Sequence, residues 1–123
     1  MLSPIAYTLA SILVAMVAFI GLRFLTAPRP AAAGYGVPAK QDGDDAYLTI
    51  KGLRDLTFGV LGAALLAFSS PQAAALYMLV VAIAPLGDTL IVLRHGGTKA
   101  VAFGIHFATA IAVLISAALL FAI

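Results

Sequence analysis

Few side chains in this sequence can do chemistry: five acids, all of them Asp, seven Lys or Arg and two His among 123 residues. Asp55, Asp88 and His106 each interrupt an otherwise apolar stretch, and a carboxylate beside an imidazole can pass a proton. Lys51, Arg54 and Asp55 stand three and four apart, so a helix puts them on one face. With Arg94, three bases face the two acids Asp55 and Asp88, which leaves one positive charge for an anion or a charged surface. The expected pairing is Arg54 with Asp88, while Lys51 and Asp55 satisfy each other or reach polar headgroups. For His106 a hydrogen bond across helices is favoured over a ligand role. His95, beside Gly96, is expected to complement a helix C-terminus. Two His at different depths, with no Cys or Glu, suit neither a metal nor a haem, so no metal and no cofactor are expected.

Other short patterns bear on the same chemistry. Asp42-Gly43-Asp44-Asp45 begins like a calcium loop but lacks the later ligands, so an N-cap for the following helix is the expected role. Gly34-Tyr35-Gly36-Val37-Pro38 has turn chemistry; its Tyr35 either anchors at headgroup level or folds back over the polar residues, and the sequence leaves both open. Pro85 and Gly87 precede Asp88 and loosen their helix, either as a packing kink or as a break that frees carbonyls to line a cavity. Gly52, Gly59 and Ala63 make a small-residue stripe suited to close helix packing.

The elements that must position these groups follow from composition. Apolar residues make up 63% of the chain and charged residues 10%, whereas a soluble fold carries roughly 25% charged residues to cover its outside. The mean hydropathy is +1.13, which makes lipid the expected solvent. Cys and Trp are absent, excluding disulfides and thiolate sites. A net charge of +2 with no groove-reading motif argues against nucleic acid as a partner. Four apolar stretches predict helices over about 4–25, 46–68, 72–94 and 99–123. The first is read as a retained helix rather than a signal peptide, since no Lys or Arg precedes it and its apolar run is long. Ser70-Pro71 and Gly96-Gly97-Thr98 supply caps for two tight hairpins, and the connection 26–45 is the one long loop. The expected fold is therefore all-α, a single antiparallel bundle of four transmembrane helices over 1–123.

All seven basic residues lie in or beside the first and third connections. The positive-inside rule then puts loops 26–45 and 95–98 in the cytoplasm and both termini outside a cell (inner) membrane. Counted along the helices at about 1.5 Å per residue, Arg54, Asp55, Asp88 and His106 fall roughly 8–14 Å deep on that same side. Charges at that depth should face the bundle interior, so Lys51, Arg54, Asp55, Asp88, His106 and Tyr35 are the candidate binding residues.

The motifs Gly-Tyr-Gly-Val-Pro at 34–38, Lys-Gly-Leu-Arg-Asp at 51–55, Pro-Leu-Gly-Asp at 85–88 and Leu-Arg-His-Gly-Gly at 93–97 occur in this order, with His106 following. With them the chain resembles a family of small bacterial and fungal four-helix membrane proteins known only as a domain of unknown function. In architecture it is more loosely similar to the DoxX-like membrane proteins. The resemblance implies an integral membrane protein and no activity. The leading expectation is a polar pocket for a small anionic or lipidic molecule. The competing expectations are a membrane enzyme with Asp55 or Asp88 and His106 as proton-transfer pair, a small dimeric transporter, an accessory subunit of a larger complex, and a structural role in which the ionic layer only fixes which helices pack. The bilayer is the expected partner, and a homo-oligomer is left open.

Overall fold

A computed structural model describes residues 1–123, which form helices and turns with no strand. Helix α1 covers Leu2–Thr26, the short α2 Pro28–Tyr35, α3 Ala46–Phe68, α4 Pro71–Arg94 and α5 Lys99–Phe121. The four long helices fall where the apolar stretches place them. Three of them, α1, α4 and α5, are long and apolar enough to cross a membrane. Helix α3 has 23 residues, but Lys51, Arg54 and Asp55 interrupt its first half.

The expected caps form. The Ser70 hydroxyl accepts the Ala73 amide at 3.1 Å, with Pro71 in the first turn of α4. Thr98 accepts the Val101 amide at 3.1 Å to start α5, after Gly96 turns the chain at φ 79. His95 Nδ1 lies 2.9 Å from the Ile91 carbonyl at the end of α4. Ahead of α3 the carboxylates divide the work differently from the expectation. Asp45 occupies the N-cap position but pairs with Arg29 Nε at 3.1 Å, and the carboxylate that takes a first-turn amide is Asp44, from Ala46 at 2.8 Å.

Helices α1 and α3 run antiparallel in the tightest seam of the molecule. Gly21 faces Gly52 and Leu56, Ala18 faces Gly59, and Val14 faces Gly62. A Cβ on Gly52 would stand 2.8 Å from the Gly21 carbonyl and 2.9 Å from the Leu25 amide, so glycine is what lets the two backbones meet. The stripe runs through Gly62 rather than Ala63, which is exposed. Helix α4 breaks at Ala82, one turn ahead of Pro85. The missing Pro85 amide is the one that would reach the Val81 carbonyl, and the proline ring presses on that same carbonyl. Helix α5 widens into a π-helical stretch over Ala102–Phe107.

The common core, where α1, α4 and α5 meet, is built largely of alanine: Ala6, Ala10, Ala74, Ala75, Ala82 and Ala117 are buried with Met78 and Leu120. Large apolar side chains such as Phe19, Val60, Ile83 and Ile115 point outward. An interior of small residues under an outer coat of Leu, Ile, Val and Phe inverts the arrangement that water imposes.

Candidate functional site

Tyr35 is the centre of the site. Pro28, fixed at a helical φ, opens α2. Gly36 closes it in the left-handed conformation at φ 103. Gly36 also has no room for a side chain, because a Cβ there would lie 2.8 Å from Val101 and 3.0 Å from Val92. The turn after α2 thus seats directly on α4 and α5, and Tyr35 folds back among the helices rather than anchoring at the surface.

Four helices meet the Tyr35 side chain. Phe24 of α1 stands edge-on to its ring at 5.6 Å. The ammonium of Lys51 on α3 lies 4.1 Å from the Tyr35 ring centroid and 4.3 Å from that of Phe24. From α4, Asp88 accepts a hydrogen bond from the Tyr35 hydroxyl. From α5, the His106 ring packs against Tyr35 at 4.3 Å, and its Nε2 donates to the Tyr35 carbonyl at 2.7 Å. A carbonyl only accepts, so this bond fixes the proton on Nε2. Burial, with the Asp88 carboxylate beside it, pushes the Tyr35 hydroxyl above the ordinary phenol range and keeps it a donor. The π-helical stretch carries His106, which is 3% exposed.

Lys51 and Asp55 do satisfy each other, at 2.5 Å. Arg54 does not pair with Asp88. It is exposed and makes no ion pair, and Asp88 is held by Tyr35 instead. Successive helical residues are turned by about 100°, so Arg54 and Asp55 diverge around α3, and the pairing expected between Arg54 and Asp88 is lost to azimuth rather than depth.

All six sequence-chosen residues, Tyr35, Lys51, Arg54, Asp55, Asp88 and His106, line a single cleft of about 630 Å³. Sequence reasoning missed Arg23, Phe24, Tyr47, Phe58 and Tyr77, which line it too. Arg23 and Phe24, adjacent at the end of α1, were open to the same depth count that found Arg54. Tyr77 had no sequence signal; its hydroxyl donates to the Phe58 carbonyl and ties α4 to α3.

The cleft is polarised. Its Lys, Arg, Asp and His side chains gather at the α2 end, and Leu13, Val14, Met78 and Val113 line the other end. Pro30, Ala31, Gly34 and Tyr35 roof the polar end. On one side the wall is open: α3 packs along α1, meets the first half of α4 only lightly, and scarcely touches its second half, Ile83–Arg94. Such a space can hold an amphiphile, polar end toward α2. No three His or Asp side chains are grouped to hold a metal ion.

No curated protein and no solved structure matches the chain, and nothing links it to the DoxX-like proteins. A family model does match, that of a domain of unknown function, DUF4267, over residues 14–120, with the motifs that line or border the cleft inside the matched region. On that match, covering most of its length, the chain belongs to the DUF4267 family.

Proposed function

We propose that the chain is a four-span integral membrane protein of the cell (inner) membrane whose cleft binds a small lipidic or anionic amphiphile. In this reading α3 is the fourth crossing: at about 1.5 Å per residue its 23 residues cover the roughly 30 Å of a hydrocarbon core. On its charged face Lys51, with its partner Asp55, is sheltered by Phe24 of α1 and by Tyr35, while Arg54 is exposed. Both termini lie outside and loops 26–45 and 95–98 in the cytoplasm, on the strength of the basic residues clustered beside those loops.

The observation that carries the binding reading is the polarity of the cleft, charged at one end, aliphatic at the other and open at the side between α3 and α4. A structural layer alone needs no such volume. Catalysis is less well supported, because the Tyr35 hydroxyl and His106 Nε2 are already engaged by partners within the protein. Transport as a dimer lacks the first-helix acid of small multidrug exporters, since the chain contains no Glu.

The test uses a neutral monoacylglycerol with a diazirine near the end of its acyl chain, photolysed in liposomes containing the protein. Cross-links to Met78 and Val113, which are 2% and 7% exposed, report a chain inside the cleft. Labelling of Leu79 and Val80 reports surrounding lipid. Filling the cleft with Ala84→Trp, at an exposed lining position, should remove the first set and spare the second. Labels confined to the outer surface in the unsubstituted protein would refute the reading.

A further inference from the structure

We infer that Arg23 and Arg54 form a two-guanidinium clamp for the phosphate headgroup of an anionic phospholipid whose acyl chain occupies the cleft, an inference that rests on the binding reading above. The register of the α1–α3 seam places them together. Gly21 faces Gly52 and Leu56, and Phe24 touches Gly52 on the antiparallel partner, so Arg23 and Arg54 stand within about 3 Å of each other in height along the seam. Both side chains line the cleft and both residues are exposed at its rim.

Neither guanidinium makes an ion pair or a hydrogen bond within the protein, whereas the neighbouring charges are taken. Lys51 is bound to Asp55, Arg29 to Asp45, and Asp88 accepts from Tyr35. Two like charges at one level, with no acid to share, are relieved by an anion between them. Paired planar forks fit the oxygens of a phosphate better than a point charge does.

The cleft supplies the rest of a lipid site. From Arg23 at the clamp to Leu13 at the aliphatic end its α1 wall runs roughly 15 Å, about half of an about 30 Å hydrocarbon core and so about the length of one leaflet's acyl chains. Helix α2 roofs the polar end, which leaves the gap between α3 and the second half of α4 as the entry, open to lipid rather than water.

The experiment reconstitutes the protein in liposomes of equal phosphatidylglycerol and phosphatidylcholine, extracts it in mild detergent and counts retained lipids by native mass spectrometry. One phosphatidylglycerol should be retained in preference to phosphatidylcholine. Arg23→Gln and Arg54→Gln should each lower that preference about fivefold, the change equivalent to about 1 kcal/mol per basic residue at an anionic headgroup. Arg94→Gln, equally exposed and outside the cleft, should leave it unchanged. A preference indifferent to both cleft arginines, or equally reduced by Arg94→Gln, overturns the clamp. So does displacement of the lipid by excess inorganic phosphate, which would make the site one for the free anion. Should Arg23→Gln and Arg54→Gln combined fail to insert, these two single variants carry the test. Cross-linking of Met78 by the neutral monoacylglycerol should persist in both of them. Its absence from the unsubstituted protein would sink the binding reading itself, whereas its persistence without any phosphatidylglycerol preference would sink the clamp alone.

Discussion

The partner of Asp88 can be decided by two double-mutant cycles that share that residue. In the first, Tyr35→Phe and Asp88→Ala are made singly and together; in the second, Arg54→Gln replaces Tyr35→Phe. The Tyr35 hydroxyl donates to a carboxylate in a partly buried setting, where a hydrogen bond to a charged group contributes about 1.5–3 kcal/mol. Asp88 retains some exposure, so the lower half of that range applies, and a coupling of about 1.5–2 kcal/mol is expected. Arg54 is exposed and has no ion-pair partner, so its cycle with Asp88 should close to within about 0.5 kcal/mol of additivity. Equilibrium unfolding in mixed micelles of mild detergent and dodecyl sulfate, followed by circular dichroism, measures the unsubstituted protein and all five variants on one scale. Additive Tyr35 and Asp88 effects would refute the hub described above, and a coupling above about 1 kcal/mol between Arg54 and Asp88 would restore the ionic pair.

Four further outcomes follow from single features. The raised Tyr35 hydroxyl stays protonated where an unfolded chain's phenol ionises, near pH 10, so the native state binds more protons there. Its contribution to stability is complete below about pH 10 and is lost as pH rises further, and Tyr35→Phe should leave the tyrosinate absorbance reached by about pH 11 unchanged; a fall by one residue's worth contradicts the burial. Arg29 donates to the carbonyls of Lys40 and Gly43 and pairs with Asp45, so Arg29→Ala should speed tryptic cleavage after Lys40, and an unchanged rate would mean the loop is held by something else. Gly52→Val should destabilise by about 2–3 kcal/mol because its added carbons meet backbone atoms across the seam. Gly87→Ala, with nothing within 4 Å of the new methyl, should stabilise by roughly 0.5–1 kcal/mol in the same unfolding assay.

What could be read in advance was whatever depends on neighbours along the chain. Helix limits follow apolar runs closed by Pro28, Ser70-Pro71 and Gly96-Gly97-Thr98, and Lys51 with Asp55 is an i, i+4 pair that any helix brings together. Convergence was legible too: counting from helix ends pointed to Asp55, Asp88 and His106 as a group, and all three line the cleft. Azimuth was not. Whether Arg54 or Asp55 faces inward depends on where α1 docks, and that is set by Gly21, Gly52, Gly59 and Gly62 acting across two helices. The Tyr35 alternatives stayed open for the same reason: the choice rests on Gly36 fitting against Val92 and Val101, residues far along the chain. The π-helical stretch around His106 left no mark in hydropathy, because widening a turn changes no residue's polarity.

The cleft itself follows from the unequal tightness of the seams. Glycines draw α3 onto α1 along much of its length, and the alanines of α4 and α5 draw that pair together at the opposite end from α2. Backbones held this close leave α3 no freedom to lean toward α4, so the two walls stay apart beyond the contact between Tyr77 and Phe58. The polar end is then filled from outside by α2, whose Tyr35 reaches in where a helix side chain would otherwise have to span the gap. On this account, loosening the glycine seam should close the cleft as well as weaken the fold. Gly52→Ala, milder than valine, should therefore reduce cross-linking of Met78 by the monoacylglycerol even in molecules that remain folded. Cross-linking that persists at full yield in folded Gly52→Ala would show that the cleft is held open by the α4 break at Ala82 instead.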